Sequence, residues 1–348
     1  MVVTTEVRAA HRFDEAALRD YLRERLGGIG RESFTVRQFT VGQSNPTFLI
    51  EADGVRLVLR KKPPGPLLPS AHQIEREFRI QDALRGSGVP VPEVLLLCRD
   101  ESVIGTGFYV MRHVEGRITQ DPALPGFTPA ERAAIYESMS DTLVALHKVD
   151  WQALGLGDFG KPSGYIARQI ALWSRQYEAS KREPVPAMDR LIERLPTLIP
   201  PGDETTIAHG DYRMGNLIIH PSEPRLVAVL DWELSTLGHP LSDLAYNCIA
   251  YYRQAGIPLQ PGLLGLDIAA LGIPSETDYV ARYAAKRGIG RIERWPFYVA
   301  FALFRLAAIA QGVYDRGLKG NASAQNAPAY GATVPELAGT ALKLIDTL

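Results

Sequence analysis

Cysteine is nearly absent. Two occur among 348 residues, Cys98 and Cys248, with no CxxC spacing. A disulfide framework and a cysteine-based zinc site are thereby excluded, and the usage fits a reducing, cytoplasmic compartment. The seven histidines show no paired zinc spacing. Excess charge is missing as well: 38 Lys and Arg stand against 39 Asp and Glu, a net of −1. The whole-chain basic footprint that nucleic acid selects is therefore lacking. Long hydrophobic runs are missing too. The most apolar stretch, Trp295–Phe304, is separated by Arg305 from a shorter run, Leu306–Ala310, and neither reaches the about 18 residues of a membrane span. The N-terminal residues turn charged before a signal-peptide core forms. No internal repeat, low-complexity tract or GxxxxGK[ST] phosphate loop occurs. The expectation is a soluble cytoplasmic protein with neither nucleic acid nor membrane as partner.

What is present is ordinary for a globular chain, with 46% hydrophobic and 22% charged residues. The length suits two compact parts. Residues 1–115 read mostly as strands. Asp14 caps a helix carrying Leu18, Leu22 and Leu26 on one face. Strands follow at Phe34–Val41, Thr47–Ala52 and Val55–Arg60, the last two joined by the hairpin signal Asp53-Gly54. A helix over Ala71–Leu84 and strands at Glu93–Cys98 and Gly107–Arg112 complete this part. Residues 116–348 read mostly as helices: from Thr128-Pro129 to about His147, then Tyr165–Lys181, Met188–Leu195, Pro240–Tyr252, Ser275–Arg287, Trp295–Arg316 and Val334–Thr347. Between them lie short strands at Thr206–Ala208, Leu217–Ile219 and Leu226–Leu230. A GxGxxG match at Gly155–Gly160 follows a helix-like stretch rather than a strand, so it lacks the dinucleotide-binding context.

The β insertion carries the chemistry. His209-Gly210-Asp211 is followed by Asn216, an H-x-D-x-x-x-x-N pattern, then by an apolar hairpin and Asp231. A hairpin returns Asp231 next to Asn216, so that carboxylate and amide oxygens converge on one hard cation, as Mg²⁺ requires. Asp211, at the turn before the hairpin, can accept a proton from a hydroxyl. This is the layout of phosphoryl transfer: a catalytic-loop Asp, an Asn for metal and a further Asp for metal. His209 reads either as a chemical group or as a scaffold residue holding the loop.

The segments HGDYRMGN and LDWELSTLGHPLSDLAY resemble the aminoglycoside phosphotransferase and choline kinase-like family. The similarity is greatest to the kinase-like domains associated with acyl-CoA dehydrogenases, and it runs from about Phe39 to Gln325. It implies an α+β, bilobal protein-kinase-like fold: a β-rich nucleotide-binding N-lobe and a mostly helical C-lobe with the acceptor pocket, ATP and Mg²⁺ bound between them. By resemblance, Gly42, Gln43, Ser44 and Asn45 form the turn over the ATP phosphates. Arg60 stands where the family usually has a strand lysine. As a bidentate phosphate ligand it can keep that role, with Lys61 or Lys62 as alternatives, and strand alternation favours Arg60. Glu77 is its implied partner, with Glu75 as the alternative. Met111 lies near the adenine, and the backbone of Arg112, His113 and Val114 reads the base edge. Asn216 and Asp231 hold magnesium, and Glu233 touches a second metal or the acceptor. Arg213 meets a transferred phosphate or an anionic acceptor, Asp243 buttresses the catalytic loop, and His239 replaces a common Asp.

The implied activity is an ATP-dependent kinase acting on an alcohol group of a small molecule. From residue 249 to the end there are ten basic against seven acidic residues. That lean disfavours a polycationic aminoglycoside or choline. With the resemblance, it favours a hydroxy acid or hydroxyacyl thioester, and an acyl-CoA dehydrogenase as pathway partner. An aminoglycoside or choline kinase, and a nucleotide-binding pseudokinase regulating a partner enzyme, are the alternatives.

Overall fold

The computed structural model describes residues 4–40, 45–63, 73–257, 260–319 and 327–348. The chain forms two compact units. One comprises Met1–Arg117 together with Val227–Glu233, the other Ile118–Leu226 and Leu234–Leu348. The main division lies close to the 115/116 boundary read from the sequence. The assignment of Val227–Glu233 to the first unit has no counterpart in that reading.

In the first unit, β1 (Thr4–Thr5), β2 (Phe34–Phe39), β3 (Thr47–Ala52), β4 (Val55–Lys61), β5 (Val94–Cys98) and β6 (Phe108–Arg112) build one antiparallel sheet. Its strand order is β1-β2-β3-β4-β6-β5. Asp53 and Gly54 turn β3 into β4 with φ of +50° and +78°, the left-handed pair that a tight hairpin of this twist requires. Helix α1 (Glu15–Arg25) starts at Asp14, whose carboxylate accepts the Ala17 N–H at 2.9 Å. It buries Leu18 and Leu22 with Phe48, Leu57 and Leu59. Val58, Tyr109 and Met111 pack instead with Ile74 of α2 (Ile74–Ala83). Successive strand residues alternate between faces. Leu57 and Leu59 therefore share one face, and Val58 and Arg60 the other, beneath the helix that carries Glu77.

The second unit is mostly helical. Thr128 opens α3 (Pro129–Lys148) with a reciprocal capping box to Glu131, as Thr128-Pro129 predicts. Then come α4 (Tyr165–Ser180), α5 (Pro186–Arg194), β7 (Thr206–Ala208) and β8 (Leu217–Ile219). A turn closed by the His220 N–H on the Arg225 carbonyl at 2.8 Å follows, and β9 (Leu226–Val229) carries the chain into the first unit. On its return, β10 (Thr236–Gly238) pairs antiparallel with β7, a strand too short for the sequence to announce. Next are α6 (Pro240–Cys248), α7 (Glu276–Arg287), α8 (Trp295–Leu318) and α9 (Ala327–Ile345). The single helix expected over Pro240–Tyr252 stops at Cys248 and tightens into a 3₁₀ turn over Ile249–Tyr252.

Arg305 does not interrupt α8. The helix runs through it for 24 residues, and among the described residues it alone is long and apolar enough to cross a membrane. Yet 78% of its most apolar window is buried in the protein, packed against α4, α6 and α9. Its all-round hydrophobicity is that of a core helix.

Candidate active site

Each unit holds one set of candidate side chains. In the first, strand register places Arg60 opposite Tyr109, and both meet Glu77. Arg60 Nε lies 3.0 Å from Glu77 Oε2, and its Nη2 donates to Asp231 Oδ1 at 3.2 Å. The Nε contact is a charge pairing without hydrogen-bond alignment. Glu77 is 1% exposed. It also accepts from Asn45 Nδ2 at 2.6 Å and from the Tyr109 hydroxyl at 3.0 Å. Burial pushes the Glu77 carboxyl up, against the opposing pull of Arg60. For Arg60 burial works downward, but Glu77, Tyr109 and Asp231 outweigh it and hold the guanidinium charge firmly in place.

The alternatives resolve. Lys61 turns to the other face, over the rings of Phe13 and Phe48, and Lys62 pairs with Glu75 at 2.8 Å. Arg60 and Glu77 are thus the buried pair, as alternation favours. Asn45 joins them, whereas Gly42, Gln43 and Ser44 lie outside the described residues. Asp231 adopts φ +64°, a left-handed conformation uncommon for a residue with a side chain and typical of functional turns. Trp232 anchors that turn, buried and donating its indole N–H to the Val229 carbonyl at 2.9 Å. Glu233 follows in the same short turn and adds its charge to the field at Arg60.

The sheet narrows the backbone groups open to a base edge. The N–H of Arg112 donates to the Glu93 carbonyl at 2.8 Å, and that of His113 to the Arg56 carbonyl at 3.2 Å. Sheet pairing has claimed both donors, so neither N–H can meet a base. Only carbonyls of this stretch, or Val114, remain for that purpose. Met111 is buried with Val58 and Val94.

In the second unit the loop expected to carry catalysis leaves β7 at His209. Gly210 has φ +85°, and a Cβ there would come within 2.7 Å of the Leu234 carbonyl oxygen, so the turn needs glycine. The fully buried Asp243 carboxylate on α6 accepts the His209 and Gly210 N–H groups at 2.6 and 2.8 Å. Burial works to raise its pKa, but His147, His209 and the Gly210 N–H prevail and the net shift is downward. Asp243 is thus the expected buttress. His209, a candidate catalytic group, is corrected to a scaffold residue: it is fully buried, and its Nδ1 accepts the Asp211 N–H at 3.1 Å. His239 caps α6 by accepting the Leu241 N–H at 3.3 Å and stacks on Tyr298, a capping task that an Asp would also perform.

Asp211 is partly exposed, its side chain at 17%. Its Oδ2 accepts from Asn216 Nδ2 at 2.7 Å, and both its oxygens lie 3.3 Å from Arg213 Nε. Arg213 Nη1 continues to Gln120 Oε1 at 2.7 Å. The amide nitrogen of Asn216 is therefore committed to Asp211, and its oxygen is the atom chemically suited to a hard cation. A cavity of about 60 Å³ opens beside the loop, with Gln120, Arg213, Tyr246 and Asn247 among its walls.

Chain residues 35–281 match the model of the phosphotransferase enzyme family. The chain belongs to that family. Acyl-CoA dehydrogenase family member 10 of Mus musculus is 48% identical over 335 residues, which is 96% of this chain and 31% of that protein. The chain spans less than half the length of the curated relatives it matches. A crystal structure from Ralstonia eutropha, provisionally named an aminoglycoside phosphotransferase, is 46% identical with a TM-score of 0.87, covering 97% of this chain and 99% of that one. An aminoglycoside phosphotransferase solved with AMP-PNP and hygromycin B has a TM-score of 0.61 at 16% identity, covering 94% of this chain and 98% of the other. The phosphotransferase therefore has the α+β, protein-kinase-like fold.

Two residues at the catalytic loop escaped the sequence reading. The Tyr246 hydroxyl hydrogen-bonds Asp211, and burial with that negative charge raises its pKa. Arg305, 5% exposed on α8, donates from Nη2 to the Gly210 carbonyl at 2.6 Å. Its guanidinium lies over Trp173 and Tyr246, 5.6 and 5.3 Å from the ring centroids. Arg305 is a positioning residue: it fixes the loop carbonyl next to Asp211 and the ring that bonds Asp211. Arg305→Met should lower kcat about tenfold, the scale of one charge-assisted hydrogen bond, and leave the KM for ATP unchanged. Arg305→Lys should recover part of that loss. Steady-state kinetics on the three proteins checks both; an unchanged kcat in Arg305→Met refutes the role.

Proposed function

We propose that this phosphotransferase moves the γ-phosphoryl group of ATP to a hydroxyl of a small anionic metabolite, a hydroxy acid or hydroxyacyl thioester. The observation that carries the reading is the loop on which Asp211, braced by Asn216, Arg213 and Tyr246, presents a partly exposed carboxylate. Asp211 orients the hydroxyl and takes its proton as the new oxygen–phosphorus bond forms and the bond to the leaving ADP oxygen breaks. Arg60, held by Glu77 and Asn45, contacts the ATP phosphates, and Arg213 meets the transferred group. Asn216 and Asp231 supply oxygen donors suited to magnesium, with Glu233 as a further carboxylate near Asp231 in sequence. When bound, the ion neutralises charge developing on the phosphates. The work of the protein is positioning and charge compensation, because the transition state is loose.

The acceptor class rests on charge. No Asp or Glu is among the described residues lining the cavity beside Asp211, which disfavours a polycationic aminoglycoside or choline. The names of the curated relatives suggest an acyl-CoA dehydrogenase acting on the same acyl compounds as a pathway partner. The test incubates the purified protein with MgATP and hydroxy acids, hydroxyacyl thioesters, kanamycin or choline, and reads products by mass. Addition of one phosphate to hydroxy acids or thioesters is expected. Efficient phosphorylation of kanamycin or choline alone would overturn the acceptor class, and ATP binding without any transfer would favour a regulatory pseudokinase.

A further inference from the structure

Arg213 stands off from Asp211. Its Nε lies 3.3 Å from both carboxylate oxygens, whereas a charge-assisted N–H···O bond closes to about 2.7–2.9 Å. Its Nη1 donates to Gln120 Oε1 at 2.7 Å, inside that range. The contact to the neutral amide is thus shorter than those to the carboxylate, although Coulomb attraction favours the carboxylate. Arginine carries no acceptor, so the amide oxygen and not its nitrogen must face Arg213. All three residues belong to the second unit.

The contact is built from both sides. Gln120 is exposed, but the turn that carries it is pinned. The Asp121 N–H donates to Thr119 Oγ1 at 3.1 Å, and the Ala123 N–H to Asp121 Oδ1 at 2.9 Å. From α3, Arg132 Nε donates to the Ala123 carbonyl at 2.9 Å and the Tyr136 hydroxyl to the Pro122 carbonyl at 2.7 Å. Leu124, fully buried, follows with φ +52°. On the loop side Gly215 leaves the space. A Cβ there would collide with Gln120 Oε1 and come within 2.5 Å of Arg213 Nη1. Gly215 is not among the left-handed glycines, so it is the space above it, not the turn, that favours glycine.

We propose that Gln120 is a positioning residue that holds the Arg213 guanidinium off Asp211 and keeps it in place for the group being transferred. The proposal rests on the phosphotransferase reading and deepens it by naming what orients that arginine. Two requirements conflict at Asp211. A carboxylate locked in a tight ion pair is a weaker proton acceptor, yet the phosphoryl group in flight needs a cation already set beside it. An anchor outside the loop resolves the conflict. Gln120 takes the Nη1 edge of the guanidinium, so Nε stays near Asp211 without closing on it. A long, partly exposed side chain, 30% accessible for Arg213, thereby gives up its freedom before substrate arrives rather than during the reaction. The amide does this without bringing a second negative charge to Asp211.

The test measures transfer from ATP to a hydroxy acid by wild type, Gln120→Met, Gln120→Glu, Arg213→Met and the double variant Gln120→Met, Arg213→Met. Gln120→Met should lower kcat about tenfold, the scale of one hydrogen bond to a charged group, with both KM values and the melting temperature unchanged. Gln120→Glu keeps the acceptor oxygen and should recover most of the loss. The double variant should be no slower than Arg213→Met alone, because Gln120 acts through Arg213. A kcat within twofold of wild type in Gln120→Met, equal losses in Gln120→Met and Gln120→Glu, or an additive loss in the double variant overturns the proposal. A raised acceptor KM at unchanged kcat overturns it too, since Gln120 would then bind the acceptor directly. Should Gln120→Met fail to fold, Gly215→Ala reaches the same contact from the loop side: it should reproduce the loss, and full activity in Gly215→Ala refutes the anchor. A readout without turnover is the Nε–H magnetic resonance signal of Arg213 in arginine-labelled protein, assigned by its disappearance in Arg213→Met. It should move in Gln120→Met and stay in Gln120→Glu, and an unmoved signal in Gln120→Met overturns the inference. A signal that moves as expected, in a protein whose wild type transfers phosphate to no acceptor, overturns the kinase reading alone.

Discussion

Replacing Asp211 by Asn is expected to cut turnover by about 10³-fold or more, the upper range for loss of a positioned general base. The substitution keeps the shape of the side chain and removes its charge and its power to accept a proton. It also exchanges one acceptor oxygen for an NH2 group that cannot accept, so Arg213 Nε, which now lies against both carboxylate oxygens, keeps at most one of them. The N–H to His209, the Asp243 bonds to the loop and the Arg305 bond to Gly210 are all backbone contacts. They survive the change, so the loop should keep its conformation. The expected signature is a collapsed kcat with nucleotide affinity within a fewfold of wild type, measured by single-turnover kinetics and ADP titration. Turnover within tenfold of wild type would show that Asp211 is not the group on which transfer depends.

Arg60→Met should do damage of two kinds. Activity should fall by about 10²- to 10³-fold, as for loss of one preorganised electrostatic donor. Stability should fall as well, because Glu77 would be left 1% exposed with Asn45 and the Tyr109 hydroxyl but no cation. Breaking a buried pair from one side costs about 3–5 kcal/mol, or roughly 10–20 °C in melting temperature for a unit of this size. The double variant Arg60→Met, Glu77→Met separates the two effects. It removes the stranded charge, so most of the melting temperature should return, while activity stays low. Recovery of both together would mean that Arg60 serves the fold rather than the phosphates.

How much of this was legible in the sequence depended on whether a residue's partner lay nearby along the chain. Asp211 and Asn216 are five positions apart, so one loop pattern picks out both, though not the hydrogen bond between them. Thr128 and Glu131 announce their own helix start. Alternation along β4 gave the face of Arg60, and the same periodicity dismissed Lys61. Arg305 could not be read this way. It sits in an apolar stretch where the pattern says only that a run is interrupted, and its partner Gly210 is 95 positions away. Tyr246 looks like one more aromatic on a core helix until α6 brings it to Asp211. The engaged N–H groups of Arg112 and His113 depended on sheet register, which hydrophobic alternation fixes in face but not in every hydrogen bond. Asp231 carried a readable identity but a backbone conformation that no residue-type rule would assign to aspartate.

The detour of Val227–Glu233 into the first unit has a consequence for biosynthesis. A nascent chain emerges N-terminus first and its domains generally fold as they appear. Here the sheet of the first unit is complete in sequence by Arg112, yet Asp231, the counter-charge that meets Arg60, is translated only after the catalytic loop of the second unit. The first unit must therefore wait, with Arg60 paired to Glu77 alone, until the ribosome has delivered residue 233. Splitting the chain at 117/118 for separate expression would leave the N-terminal fragment permanently at that unfinished stage.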